Sequence, residues 1–138
     1  MNRLTARLLP LLRVVAAAVL GYAVVVALTT LGFVHWLAGA DLYRGGAALQ
    51  AKGTLVAVVA GLAGGAVAGL VGGRRPLLHA LAVLPLLVVD TLYVLFVFPR
   101  TTPAWFELAG ALTLMAATVA GGWLVATVRR HRAPAEAA

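Results

Sequence analysis

No cysteine occurs in the 138 residues, which excludes a disulfide framework, a thiolate metal site and a cysteine nucleophile. Acidic side chains are nearly as scarce, with Asp41, Asp90, Glu107 and Glu136 forming the complete set. The patterns HExxH and GxSxG and a P-loop lysine are also missing, so no nucleophile–base set, metal site or cofactor-binding motif is evident. Enzyme chemistry has little to build on, and the chain reads as non-enzymatic with no cofactor. Charged residues make up only 11% of the chain, against roughly a quarter in soluble domains. The net charge of +7 invites a nucleic-acid reading, but that needs basic residues gathered on a soluble face. Here they flank apolar runs, and nucleic acid is excluded as a partner.

What fills the chain instead is apolar: 63% of the residues are hydrophobic and the mean hydropathy is +1.02. A soluble domain of about this length leaves a large share of its surface in water. So much apolar surface therefore requires a lipid bilayer as second solvent. Four uninterrupted apolar segments run from Val14 to Ala38, Thr54 to Gly73, Leu77 to Phe98 and Trp105 to Val128. At a rise of 1.5 Å per residue, roughly 20 residues match a hydrocarbon core about 30 Å thick. Spanning backbone must satisfy its own polar groups, as helices or closed barrels do, and the alternation of barrel strands is missing. The expected fold is all-α, one membrane domain of four antiparallel transmembrane helices.

Orientation follows from the basic residues. Arg3, Arg7, Arg13, Arg74, Arg75, Arg129, Arg130 and Arg132 fall on one side of the expected spans, against Arg44, Lys52 and Arg100 on the other. The richer side stays in the cytoplasm, which predicts both termini inside. Trp36, Tyr43 and Trp105 fall at the opposite boundary, where amphipathic rings prefer to sit. Ten arginines against one lysine, with abundant Ala, Val, Leu and Gly, suggest a GC-rich bacterial genome and so a bacterial inner membrane. The opening arginines, the apolar run and Ala38-Gly39-Ala40 mimic a secretory signal, but the run exceeds the roughly 7–15 residues of a signal's apolar region. The stretch from Gly39 to Gly53 reads as an exposed loop carrying a short interfacial helix over Ala47 to Lys52. Pro76 should open the third helix, Pro99 close it and Pro85 kink it, while the tail from 133 to 138 reads as disordered.

The sharpest pattern is GLAGGAVAGLVGG. Gly61, Gly65, Gly69 and Gly73 recur every fourth position, and Gly64, Ala68 and Gly72 form a parallel row. Small-xxx-small rows let helix backbones approach closely in lipid, so the second helix should pack tightly, either within the chain or as a homo-oligomer or subunit interface. Ala109, Thr113, Ala116 and Ala120 form a looser row on the fourth helix that could supply the opposing surface.

Asp90 is the only acidic or basic side chain in LAVLPLLVVDTLYVLFVFP. A carboxylate in mid-membrane costs at least about 2.5–3.5 kcal/mol on insertion scales, so it normally faces an interior and has partners or a proton. Helical periodicity puts His79, Leu86, Asp90, Tyr93 and Val97 near one face, although His79 lies about 16 Å from Asp90 along the axis. Asp90 is about 12 Å below the outer boundary. At similar depth are the hydroxyls of Thr29, Thr30 and Thr113, with Tyr93 or Tyr22 contributing. The set is either a packing device that fixes helix register or a proton or cation site. His35 and His79 read as interfacial tips. Arg74, Arg75, Arg129 and Arg130 read as topology determinants or contacts to lipid headgroups.

In length and hydropathy the chain resembles the small multidrug resistance exporters and the small fluoride channels. The exporters carry a membrane glutamate in the first helix, whereas this chain has no acid between Val14 and Ala38. The block GLAGGAVAGLVGGRRPLLHALAV resembles the junction of helices 2 and 3 in uncharacterised small four-helix bacterial inner-membrane proteins, which implies a location and no activity. The leading expectation is a non-enzymatic small subunit or self-associating scaffold packed through its second helix. The alternative is a small proton- or cation-coupled transporter or channel using Asp90.

Overall fold

The computed structural model describes residues 3–97 and 102–132, with side chains from Leu8 onward. All regular structure among them is helical: α1 (Arg3–Leu31) running into a π-helical turn (Gly32–Trp36), α2 (Gly46–Gly72), α3 (Pro76–Leu81), α4 (Leu84–Val97) and α5 (Ala104–Arg132). Four stretches, Leu8–Trp36, Gly46–Gly72, Pro76–Val97 and Ala104–Arg132, are long and apolar enough to cross a membrane. The expectations for Phe98, Pro99, Arg100 and the tail from 133 lie outside the described residues.

Two helices are longer than the apolar runs suggest. α1 starts at Arg3 rather than near Val14 and carries Pro10 inside it, because Leu, Ala and Arg favour helix well before the charges end. α2 starts at Gly46, so the separate interfacial helix expected over Ala47 to Lys52 is instead its opening. Ala, Leu, Gln and Lys there are good helix formers, and the Thr54 hydroxyl donates back to the Gln50 carbonyl at 3.0 Å.

The third apolar run is divided. Pro85 has no N–H to offer the Leu81 carbonyl, and the chain turns at Ala82 and Val83 between α3 and α4. There Val83 N–H donates to the Ala80 carbonyl at 3.1 Å. The turn is held inward, since Val83 is fully buried with Val25, Ala68 and Leu87 in the core cluster.

α2 is the central helix, with 44% of its most apolar window buried against 22% for each other span. Toward α1 it presents Gly64 and Ala68. A Cβ at Gly64 would fall 2.7 Å from the Gly21 carbonyl oxygen, and one at Gly21 would fall 2.9 Å from Ala68 Cβ. Farther along the same contact, Gly32 meets Val56 and the Arg13 Nε donates to the Val71 carbonyl at 3.3 Å.

Toward α5, α2 presents Gly61 and Gly65. A Cβ at Gly61 would lie 2.6 Å from the Leu114 carbonyl oxygen, and one at Gly65 would overlap the Thr118 carbonyl. The α5 surface is built from Leu114, Ala117, Thr118 and Gly121, where a Cβ at Gly121 would strike the Leu62 carbonyl. This corrects the expected row: Ala109, Ala116 and Ala120 are exposed. Gly121 permits a closer backbone approach than any alanine does.

At the other end, the loop is tied to the start of α5. Asp41 Oδ1 accepts the N–H groups of Tyr43 and Arg44 at 3.0 and 3.2 Å, an Asx-type turn. The Tyr43 ring then meets Trp105 and Phe106 edge-on, with centroids 6.2 and 5.6 Å away.

Candidate functional site

Asp90 sits on α4 with its side chain exposed on the outside of the bundle rather than in its interior. The Tyr22 hydroxyl of α1 donates to Asp90 Oδ1 at 3.2 Å. The other large exposed residues of α4 are Val88, Val89, Leu92, Tyr93 and Phe96, all apolar but for the Tyr93 hydroxyl. Tyr22 itself is half-buried and packs against the core cluster.

The threonines matched to Asp90 by depth do not reach it. The Thr29 hydroxyl donates to the carbonyls of Val25 and Val26 at 2.8 and 3.1 Å, and that of Thr113 to Ala109 at 2.8 Å. Thr30 is exposed on α1. A short hydroxyl in a helix bonds most readily to its own preceding turn. Tyr93, one turn beyond Asp90, is half exposed.

The alignment of His79 with Asp90 does not survive the break at Ala82 and Val83. His79 is buried, correcting its reading as an interfacial tip. Its Nδ1 donates to the Arg75 carbonyl at 2.7 Å, and its ring lies against Gly72, where a Cβ would collide with it. His35 is exposed in the π-helical turn.

The glycine row is occupied within the chain. Gly61 and Gly65 face α5, Gly64 and Ala68 face α1, Gly69 meets Pro76 and Val125, and Gly72 meets His79. Gly73, at φ +80°, ends α2 next to the Arg13 guanidinium. No glycine face remains open for a second copy along this row.

A second polar locus forms at that end of α2. A cavity of about 700 Å³ is lined by Arg13, Arg74, Arg75, Arg129 and Arg130. A neighbouring one of about 400 Å³ shares Arg13, Arg74 and Arg75 and adds His79. Among the described residues, no acidic side chain, Asp90 included, lines either one. Helix ends leave carbonyls without N–H partners, and here arginines supply them. Arg129 donates to the carbonyls of Gly73 and, at 3.1 Å, Leu70, while Arg13 serves Val71. Cations at a helix C-terminus also meet the negative end of its dipole. Arg74, Arg75 and Arg130 are exposed and line the first cavity.

The convergence of Arg13 with the other four arginines, and the bond from Tyr22 to Asp90, join residues far apart in sequence. Depth and charge counting leave such pairings open. No family model, curated protein or solved structure matches this chain.

Proposed function

We propose that the protein is a non-enzymatic multi-pass component of the bacterial inner membrane that assembles laterally, as a self-associating scaffold or as a small subunit of a larger complex. Consecutive spans run antiparallel, and both termini are cytoplasmic. The order of contacts between α1 and α2, from Gly32 with Val56 to Arg13 with Val71, supports the first point. The arginine count supports the second.

The observation that carries the assembly reading is the exposed Asp90–Tyr22 pair on an apolar surface. A carboxyl exposed toward hydrocarbon is costly, and a second helix against the α1–α4 face would remove it from lipid. A two-fold contact would juxtapose two such pairs, one from each subunit. Since the chain has no cysteine, Val89→Cys gives a clean oxidative cross-linking probe in native membranes. A disulfide-linked dimer that is lost when Asp90→Leu is added supports the scaffold. A monomer in lipid nanodiscs, with no cross-link at Val89 to any chain, refutes lateral assembly through this face.

A second reading, a proton- or cation-coupled transporter, draws on the contact between two titratable groups, Tyr22 and Asp90. Proton flux into liposomes under an imposed pH gradient distinguishes the two. Flux present in the native chain and absent in Asp90→Asn establishes transport, and equal flux in both removes Asp90 from any such role.

A further inference from the structure

The arginine-lined cleft gathers guanidinium groups from the first helix, the junction of α2 with α3 and the last helix. Two of them are fixed in place, Arg13 by the Val71 carbonyl and Arg129 by those of Leu70 and Gly73. The other three, Arg74, Arg75 and Arg130, line the same space with no acidic side chain among the described residues of the lining. Like charges held this close repel, and an anion would relieve them. Guanidinium forks match the oxygens of a phosphate, offering paired donors rather than a point charge.

The remaining wall is apolar. Leu77 and Ala126 line the cleft, and Leu77 and Leu78 continue from it onto the exposed surface of α3. A soluble anion has no use for such a wall. An amphiphile does, with its charged group among the arginines and its chains along the leucines. The position at the end of the spanning helices matches headgroup depth.

We propose that this cleft binds the phosphate group of an anionic phospholipid. The inference needs only that the helices span a bilayer and is independent of lateral assembly.

Native mass spectrometry of the full chain, released from phosphatidylcholine nanodiscs containing phosphatidylglycerol, measures the binding. Arg130→Gln and Arg74→Gln/Arg75→Gln test the cleft while leaving the caps Arg13 and Arg129 intact. Arg132→Gln removes one charge at the same end of α5 outside the cleft. Ala126→Phe fills the apolar wall with no change of charge. The expected result is saturable phosphatidylglycerol binding that weakens ~tenfold in Arg130→Gln, equivalent to one charge-assisted contact, more in Arg74→Gln/Arg75→Gln, also weakens in Ala126→Phe, and is unchanged in Arg132→Gln. Circular dichroism establishes that each variant is folded. Equal weakening in Arg132→Gln and Arg130→Gln would reduce the effect to diffuse charge and overturn the proposal. Displacement of the lipid by millimolar inorganic phosphate, with phosphatidylcholine bound as well as phosphatidylglycerol, would identify a soluble phosphate as the ligand and overturn the lipid assignment.

Discussion

The Tyr22 hydroxyl donates to Asp90 Oδ1 across 3.2 Å, joining α1 to α4 at the surface of the bundle. These two helices otherwise meet little, since α2 and α5 hold most of the packing. The bond therefore bridges a sparsely packed seam of the fold.

Tyr22→Phe should cost little in the isolated chain. Hydrogen bonds between membrane helices average about 0.6 kcal/mol and reach about 1.7 kcal/mol, and the ring contacts with the core remain. Unfolding of the reconstituted protein by steric trapping checks this. A loss well above that upper value would mean that the bond anchors α4, contrary to the seam described here.

Gly65→Ala and Gly110→Ala should differ in sign. At Gly65 the added Cβ overlaps the Thr118 carbonyl, whereas at Gly110 it meets nothing within 4 Å. Overpacking a fitted interface costs about 1–3 kcal/mol, while alanine for glycine in an unobstructed helix is worth about 0.4–1 kcal/mol in favour. Thermal unfolding of the two variants in one detergent gives the comparison. Equal stability would show that α2 and α5 lie farther apart than the structure has them.

The four spans and the importance of the Gly61–Gly73 row were legible because length and small-residue spacing are local properties. The surface opposing the row was not. Both Ala109–Ala120 and Leu114–Gly121 are small enough to read as contact faces, and periodicity alone does not say which one turns inward. The adjacent pair Gly121 and Gly122 was the available signal, since a Cβ at Gly122 would strike Ala80 while one at Gly121 would strike α2. Depth matching put Thr29, Thr30 and Thr113 first, with Tyr93 or Tyr22 contributing, but the hydroxyls of Thr29 and Thr113 bond within their own helices. Tyr22 succeeds because its ring spans the gap between helices. The exposure of Asp90 had no local sequence signal, because the orientation of α4 is set by packing beyond the break at Ala82 and Val83, and we infer that Pro85 governs it.

Pro85→Ala tests that dependence. The substitution restores an N–H within reach of the Leu81 carbonyl and removes the ring that opposes a continuous helix. Amide exchange over residues 82–86 should slow as the turn closes. Because straightening rotates α4 relative to α3, the Tyr22–Asp90 bond should weaken at the same time, making Tyr22→Phe nearly silent in the Pro85→Ala background. Unchanged exchange would assign the turn to the burial of Val83 rather than to the proline.

Arg129→Leu should destabilise the end of α2 more than any neighbouring arginine substitution. It leaves the carbonyls of Leu70 and Gly73 without their side-chain donors, and an abandoned acceptor costs about 1–3 kcal/mol when it is shielded from water. Water reaching the cleft would moderate the loss, so the lower end of that range is expected. Arg129→Lys should recover part of it, because one ammonium retains the favourable charge at the helix C-terminus but lacks the planar fork that serves two carbonyls. Arg132→Leu, beyond the cleft, should leave stability within about 0.5 kcal/mol of the native chain, the usual range for surface positions. Melting temperatures in the order native, Arg129→Lys, Arg129→Leu, from highest to lowest, would establish that this arginine supports the fold. Arg129→Leu melting with Arg132→Leu would leave Arg129 as one more member of the positive cluster.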